Sequence, residues 1–446
     1  MVAELHLKVT RAVVFGVSCL GLACASGGGG AVRTGAVTPA DIPALQAQVQ
    51  QQPSNATLRL RLAAALMAAG RCDTATVVAR AGQQLAPANA IGPLVIGGCQ
   101  EKSGRYDLAF ATYTDFATQH PQARGVATVR AKAQIALRTQ AEQTARQALA
   151  SESTLTRQPP EPSTLAVLPV TISASDSTFR PLSRGLAELI TSDLALVRSL
   201  RLLERIQIGA LLDELKLGQT ERGDPATAAR VGRLLRAERM VQGVASITAN
   251  GPVRLSASVV RGDGTVRSGA QANGTFQQLL DLEKQLVISL AGQLGIQLTD
   301  AERQRILRQG PRNLAAFLAY SQGLEALDRG DYRAAASAFS ASVRADPNFQ
   351  AAQQQQSAAE AAPAVESGGD AVAAVDVAPP EAPPPSLPTA GALESAKNET
   401  SPSLGGVLPG NENGNETTKP ELTPASQGIN SVVQVSVILR IIFKRP

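Results

Sequence analysis

The residues best able to do chemistry in this chain are its four cysteines and two histidines. A Ser-His-Asp or Cys-His arrangement would have to use His120, because His6 lies in a segment that we expect to be removed. His120 directly precedes Pro121 at the end of a repeat, where we expect a solvent-facing turn. The cysteines lack the spacing of metal ligands. We therefore expect no catalytic residues, no metal site and no enzyme.

Other patterns that could indicate catalysis or cofactor binding have simpler interpretations. The glycine run Gly27 to Gly30 lacks the lysine and the strand–helix context of a phosphate-binding loop. The Gly-Asp-Gly sequence around Asp263 indicates a turn. Asp213 and Glu214 are adjacent on a predicted helix, where neighbouring side chains point in different directions, so a solvated surface is expected. The sequence thus predicts no cofactor.

Cys24 is the residue with the clearest chemical assignment. Lys8 and Arg11 give the chain a positive start, an apolar run over residues 12–22 comes next, and small residues precede the cysteine. These are the parts of an export signal, and the run is about half as long as a membrane-spanning helix. The segment resembles a bacterial lipoprotein signal, which implies that Cys24 becomes the lipid-bearing first residue. Cys19 is a weaker alternative, and a plain secretory signal with an incidental cysteine is another.

Length and composition limit the organisation of the chain beyond the signal peptide, which we place at residues 1–23. The 446 residues should hold two or three domains, and a hydrophobic content of 44% suffices for packed cores, although only 3% of residues are aromatic. A net charge of +5 is too dilute over this length for a nucleic-acid-binding surface. Residues 24–38, which include the glycine run, are expected to form a flexible tether.

A glycine, an alanine and a proline recur with one spacing in three places. The sets are Gly70, Ala75 and Pro87; Gly104, Ala109 and Pro121, which lie 34 residues later; and Gly330, Ala335 and Pro347. A turn glycine, a small residue at a helix crossing and a proline that ends the second helix resemble the tetratricopeptide repeat. We predict such repeats over residues 39–150 and one more over 301–352. The sequence does not decide whether the last repeat stacks on the first two or caps the intervening region alone.

The two remaining cysteines fall in neighbouring predicted repeats. Cys72 opens the second helix of the first repeat, and Cys99 lies late in the first helix of the second repeat. These helices should pack antiparallel, which brings the start of one near the end of the other. We therefore predict a Cys72–Cys99 disulfide, which persists in the oxidising compartments outside the cytoplasm. Two small buried thiols are the alternative.

A proline-rich linker at 151–163 leads into a region of mixed helices and strands. The predicted order is strand, helix, strand, two helices, three hairpin-linked strands and a helix. The corresponding residues are 165–172, 182–197, 200–203, 206–217, 225–237, 240–248, 253–260, 265–272 and 276–294. This order predicts an α/β domain over residues 164–300, in which helices pack on a mixed sheet.

Five segments of this region carry a family resemblance. AVLPV, RGLAELITSDLA, RLLER, LLDELKLGQT and DPATAARVGRLLRAERMVQGVAS, in this order and at these gaps, look like the CsgG-like family. This is the family of the curli assembly and transport lipoprotein and its smaller periplasmic relatives. The resemblance covers about residues 165–300, under a third of the chain. It implies a cell-envelope setting, which agrees with the signal before Cys24.

The resemblance leaves two functions open. The pore-forming member implies an oligomeric outer-membrane secretion channel, whose strands need about 9–11 residues with an uninterrupted apolar face. The hairpin around Asp263 alternates loosely and carries Arg254, Arg261 and Arg267. We therefore expect an outer-membrane lipoprotein that faces the periplasm and is not a pore. It would act as a protein-binding scaffold or adaptor in envelope assembly or surface-structure export, with protein partners, with no nucleic acid and with homo-oligomers left open.

The composition changes again after Phe349, first to alanine and glutamine and then to proline, serine, glycine and asparagine. Residues 353–428 are expected to be disordered, because they can bury too little apolar surface to offset the entropy of ordering. The stretch 429–446 is β-branched and alternating. It predicts a terminal strand that joins a sheet edge, or an apolar tail without a fixed partner.

Overall fold

The computed structural model describes residues 37–174, 176–216, 224–248, 251–366 and 371–376. The predicted signal peptide, Cys24 and nearly all of the tether lie outside the described residues, as do 377–428 and the predicted strand at 429–446. Within the described ranges the predicted fold class is confirmed. Helical repeats flank an α/β domain with a mixed sheet.

The N-terminal part consists of helices joined by short turns. They are α1 (Ile42–Gln51), α2 (Ala56–Ala68), α3 (Cys72–Leu85), α4 (Ile91–Lys102), α5 (Tyr106–Gln119) and α6 (Val126–Ala150). The turn glycines of the first two predicted repeats, Gly70 and Gly104, have φ angles of 74° and 70°, which glycine adopts without strain. The small residues predicted at the helix crossings, Ala75 and Ala109, are fully buried.

The α/β domain comes after a short helix, α7 (Glu152–Leu155), and its first strand begins inside the predicted linker. The strands are β1 (Glu161–Val167), β2 (Thr171–Ala174), β3 (Arg201–Leu202), β4 (Ala237–Ile247), β5 (Pro252–Arg261) and β6 (Val266–Thr275). They form one sheet in the order β3-β1-β4-β5-β6, and β2 also pairs with β4. The β1–β3, β1–β4 and β2–β4 pairs are parallel, whereas β4–β5 and β5–β6 are antiparallel.

Four helices cover the two faces of this sheet. The helices are α8 (Leu182–Leu194), α9 (Arg205–Glu214), α10 (Pro225–Leu235) and α11 (Leu279–Gln293). α8 and α11 share one apolar core with the sheet, and α9 and α10 share a second core on the other side. Asp224 caps α10 by accepting a hydrogen bond from the Ala226 N–H, and Pro225 is the first helical residue, as predicted. Pro169 separates β1 from β2, because proline cannot donate to a sheet.

The C-terminal part is longer than predicted. It contains α12 (Asp300–Arg308), α13 (Leu314–Asp328), α14 (Tyr332–Ala345), α15 (Gln350–Glu366) and α16 (Ala371–Asp376). α13 and α14 form the predicted third repeat, but the predicted disordered region starts too early, since residues 353–366 and 371–376 are helical. Alanines of α15 are buried because α14 and the distant α6 pack on this helix and supply the apolar surface that the local sequence lacks.

One close helix contact recurs in the N-terminal and C-terminal repeats. Gly97 in α4 lies against the ring of Tyr113 in α5, and Gly323 in α13 lies against the ring of Phe339 in α14. At both glycines a Cβ atom would overlap the ring, and both rings are fully buried. A glycine at this repeated position therefore lets an aromatic side chain fill the crossing between the two helices.

The C-terminal repeat packs on both of the earlier parts. α13 packs on α8 of the α/β domain, and α15 packs on α6. At the first contact Gly185 lies against Ser321 and Phe317, and a Cβ on Gly185 would overlap the serine side chain. Ser321 is fully buried, and its hydroxyl donates to the Phe317 carbonyl at 2.8 Å. The glycine thus sets how closely the repeat approaches the domain.

Replacing Gly185 with alanine should lower the free energy of unfolding by about 1–3 kcal/mol, because the new methyl group overpacks the contact between α8 and α13. Gly209 in α9 is the matched control, since a Cβ there meets no atom within 4 Å. Gly209→Ala should leave the stability unchanged or raise it by up to about 1 kcal/mol, because alanine is the better helix former. Urea unfolding followed by circular dichroism measures both. Equal stabilities of the two variants would contradict the close contact.

Candidate interaction site

A cleft of about 310 Å³ opens where the repeats meet the α/β domain. α6 and α9 form two of its walls, and the end of α13 with the start of α14 forms another. Its lining includes many charged side chains, with arginines from α6, α8 and α9 and carboxylates from α6, α9 and α13. The cleft therefore exists only because segments far apart in the chain fold together.

A cluster of ion pairs at this cleft joins the domain to the C-terminal repeat. Nη1 of Arg205, the first residue of α9, donates to the two carboxylate oxygens of Asp328 at 2.6 and 2.8 Å. Its Nε donates to Oε2 of Glu188 in α8 at 3.1 Å, and Arg184 also pairs with Asp328. Burial raises the pKa of Asp328, but the two guanidinium groups outweigh burial and hold this pKa below its usual value.

Glu204 lies next to this cluster, and its pKa is shifted upward, in the opposite direction from the pKa of Asp328. Burial and the neighbouring charge of Glu188 raise the pKa of Glu204 to about 7, against an opposing effect of Arg205. Glu204 therefore changes charge near neutral pH at the N-terminus of α9. The sequence offered no sign of this, because Glu204 and Glu188 come from separate elements.

The mouth of the cleft presents charges of both signs. Nε of Arg138 pairs with Oε1 of Glu142 on α6 at 3.1 Å. Asp213 and Glu214 are exposed on α9, and they line the cleft because α6 lies opposite them. The arginine, carboxylate and amide side chains of the lining offer hydrogen bonds and ion pairs to a ligand.

The remaining histidine of the described chain lies away from this cleft. His120 directly succeeds the last residue of α5 and contacts the ring of Phe116, with the ring centroids 5.2 Å apart. Across the described ranges, no group of three or more His, Cys, Asp or Glu residues could hold a metal ion.

Cys72 and Cys99 form a disulfide in the structure, with their Cα atoms 5.3 Å apart. Cys72 is the first residue of α3, and Cys99 lies in the last turn of α4. This is the pairing that we predicted from the antiparallel packing of the two helices. The bond links the first repeat to the second and therefore stabilises the interface between the two repeats.

The domain core contains a second buried charged cluster, between α8 and α11. Asp193 and Glu283 are 1% and 0% exposed, and Lys284 Nζ lies 2.5 Å from Asp193 Oδ2 and 3.3 Å from Glu283 Oε2. Burial, and after it the charge of Asp193, raises the pKa of Glu283 to about 8. When Glu283 is protonated, the carboxylate of Asp193 remains to pair with the ammonium group of Lys284. An adjacent Glu-Lys pair in a helix is usually solvated, so no sequence pattern would place this one in the core.

The described chain is an α/β domain carried between helical repeats. The family model for the curli production assembly/transport component CsgG matches residues 146–256, from the end of α6 into β5. The α/β domain is therefore CsgG-like, which confirms the resemblance predicted from its five segments.

Two solved structures are similar to parts of the chain. The LpoB C-terminal domain from Salmonella enterica is 17% identical, with a TM-score of 0.22, over 28% of this chain and 91% of that one. The APC/C hetero-tetramer Cut9-Hcn1 is 13% identical, with a TM-score of 0.22, over 73% of this chain and 47% of that one. No curated protein sequence matches the chain. None of the helices in the described ranges has the length and apolar character needed to cross a membrane.

Breaking the Cys72–Cys99 bond should lower the free energy of unfolding by roughly 3 kcal/mol, because the unfolded chain regains the entropy of the closed loop. Denaturant unfolding with and without reductant measures the effect. The Cys72→Ser/Cys99→Ser variant is the control and should be insensitive to reductant. Peptide mass spectrometry that finds two free thiols in the non-reduced, exported chain would contradict the bond.

Buried Glu283 should make the chain less stable as the pH rises. The folded chain keeps a proton up to about pH 8, whereas the unfolded chain releases it near the ordinary glutamate pKa of 4.5. The stabilising contribution is complete below about pH 4.5 and is lost as the pH rises to about 8, with a slope of up to about 1.4 kcal/mol per pH unit. Glu283→Gln should flatten this slope in urea unfolding.

A matched control for this pH dependence is Glu360→Gln, which changes an exposed glutamate of α15 and should keep the wild-type slope. If Glu283→Gln and the wild-type chain lost stability in parallel between about pH 5 and pH 8, Glu283 would not hold a proton in the folded core.

Proposed function

We propose that this chain is a lipid-anchored protein of the bacterial cell envelope that acts as a protein-binding scaffold or adaptor in envelope assembly or surface-structure export. The observation that carries the proposal is the packing of both repeat segments against a CsgG-like domain. Helical repeats present extended surfaces to partner proteins, and the family is named for an assembly and transport component. The signal before Cys24 supports an outer-membrane anchor that faces the periplasm.

An adaptor has to hold its binding surfaces in a fixed relation, and the contacts around the cleft fit this requirement. Arg205 and Asp328 link the domain to the C-terminal repeat, and Gly185 allows the two to approach closely. The cleft between them has charged side chains of both signs at its mouth. It suits a partner segment that carries charges of both signs. The proposal includes no catalytic step.

A CsgG-type oligomeric secretion channel is the second candidate, because the matching family model is that of an assembly and transport component. The two functions differ in what the purified protein does. A channel forms symmetric rings in detergent and conducts ions across liposomes. An adaptor without its signal peptide stays soluble and does neither.

Photocrosslinking in living cells of a bacterial host with an outer membrane tests the adaptor function. A photoreactive amino acid at Asp213, in the mouth of the cleft, should crosslink one discrete protein. The same group at Val77, which is 68% exposed on α3, is the control and should not give that product. Cys24→Ser should release the chain into the periplasm and reduce the crosslinked product at least tenfold.

Two results would contradict the adaptor. One is a Cys24→Ser chain that remains in the outer membrane, since another attachment would then hold it there. The other is a purified wild-type chain that forms detergent-dependent rings with ion conductance, which would favour the channel.

A further inference from the structure

One end of the CsgG-like domain gathers positive charge from distant parts of the chain. The parallel strands β1, β3 and β4 all begin at this end. β5 ends there and β6 begins there, since Arg261 of β5 lies opposite Arg239 of β4. The C-terminal end of α11 lies there as well, because Arg239 Nη1 donates to the Leu294 carbonyl at 3.1 Å. The register of the sheet therefore brings these segments to one edge.

α12 extends this end of the domain. The backbone N–H of Arg198, in the loop before β3, donates to Glu302 Oε1 at 3.4 Å, which holds the start of α12 beside that loop. Glu302 and Ile306 are the buried residues of α12, so they define its inner side. Three arginines of this helix are exposed: Arg303, Arg305 and Arg308. α12 thus adds a charged helix face to the edge of the sheet.

Positive charge is in excess at this end. Six arginines are exposed and make no ion pair within 4 Å in the described part of the chain, and we call them the basic edge: Arg198, Arg261, Arg267, Arg303, Arg305 and Arg308. Glu161 and Glu238, at the starts of β1 and β4, already pair with arginines outside this set. Asp263 and Asp300 are exposed beside the basic edge and balance only part of it. A net charge of +5, dilute over the sequence, is therefore concentrated in space.

The spread of the basic edge indicates an extended partner. Neighbouring strands lie about 4.8 Å apart, so the edge from β3 to β6 spans about 19 Å. The nine residues of α12 add a length of about 13 Å. Both lengths exceed the distance of about 8 Å over which salt screens charges at physiological ionic strength. A small anion therefore meets only part of the basic edge, whereas an extended anionic surface meets all of it.

Two exposed apolar side chains lie among these arginines. Leu307 precedes Arg308 and is 48% exposed, and Val266 precedes Arg267 and is 46% exposed. Basic residues beside exposed apolar ones are typical of surfaces that rest on an anionic membrane, where the headgroups attract the charges and the acyl boundary accepts the apolar groups. A nucleic-acid backbone matches the charges alone. The combination therefore favours a membrane.

We propose that the basic edge is a docking surface for an anionic lipid membrane, with Leu307 and Val266 at the level of the headgroups. Docking holds the CsgG-like domain against the bilayer and so fixes which way the repeats face. The choice of a membrane rests on the lipid-anchored location proposed above. The contact is electrostatic and reversible, so at physiological salt it orients an anchored chain but does not retain a chain that lacks its lipid.

Vesicle sedimentation of the full chain with Cys24→Ser, purified from the periplasm, tests this surface without the lipid anchor. In about 0.05 M salt the chain should bind vesicles that contain phosphatidylglycerol at least tenfold more tightly than vesicles of phosphatidylcholine alone. Raising the salt to about 0.5 M should abolish the difference. Adding Arg303→Glu/Arg308→Glu should lower the binding at least tenfold, because each arginine near an anionic surface contributes about fivefold.

The matched control is Arg71→Glu/Arg80→Glu, which reverses two exposed arginines of the N-terminal repeats and changes the net charge equally. This variant should bind the anionic vesicles within about threefold of the parent chain, since its charges lie away from the docking surface. Circular dichroism checks that both variants fold. Equal losses of binding in the two variants would overturn the proposal, because net charge alone would then drive the binding.

Tryptophan fluorescence provides a second measurement, since the chain contains no tryptophan. In the Cys24→Ser chain, the emission of Leu307→Trp should shift to shorter wavelength on anionic vesicles, because the indole enters the membrane interface. Val77→Trp, at a site that is 68% exposed on α3, should show no shift. An unshifted emission of Leu307→Trp on saturating vesicles would overturn the proposal, as would tighter binding to duplex DNA than to the vesicles. Neither result affects the lipid anchor, which the localisation of Cys24→Ser tests separately.

Discussion

The described parts of the molecule meet along α6, and they can do so because most of the buried residues of this helix are alanines. Ala133 and Ala136 pack in the core of the N-terminal repeats, and Ala131 packs in the core of the C-terminal repeat. Ala145 and Ala148 belong to a core of the CsgG-like domain. An alanine allows helices to approach on several sides, whereas a larger side chain fills one interface and holds the others apart. This one helix therefore fixes three parts relative to one another.

The charged cluster beside α6 fixes the relative orientation of α8, α9 and α13 more than it stabilises the fold. Arg184 and Arg205 face Asp328 and Glu188, so the four groups balance in charge. Removing such groups from water offsets much of their attraction, and a buried ion pair is accordingly weak evidence for stability. A shifted position of α13 on α8 would nevertheless leave a charge without its partner, which is strongly unfavourable. Apolar packing at Gly185 brings the helices together, and the ion pairs select one position.

Features with a local cause could be predicted from the sequence. Turn glycines such as Gly70, the Asp224 cap and the order of strands and helices in the CsgG-like domain depend on neighbouring residues, and so they leave a pattern in the chain. α15 has no such pattern, because part of its burial depends on the distant helix α6: the Gln134 side chain, 221 positions away, donates to Gln355. The cleft was missed for the same reason. Asp213 and Glu214 could be recognised as solvated residues, but nothing local shows that α6 faces them.

Contacts between segments far apart in the chain also join the C-terminal helices to the N-terminal repeats. α16 reaches the N-terminal repeats because α15 is already docked on α6, and α15 in turn packs on α14 of the C-terminal repeat. The repeat that packs on the CsgG-like domain is therefore continuous with the segment that completes the core of the first repeats. Val372 and Val375 of α16 belong to the core of the N-terminal repeats, whereas the buried residues of α15 belong to the core of the C-terminal repeat. Contacts between segments far apart in the chain therefore hold the three described parts together.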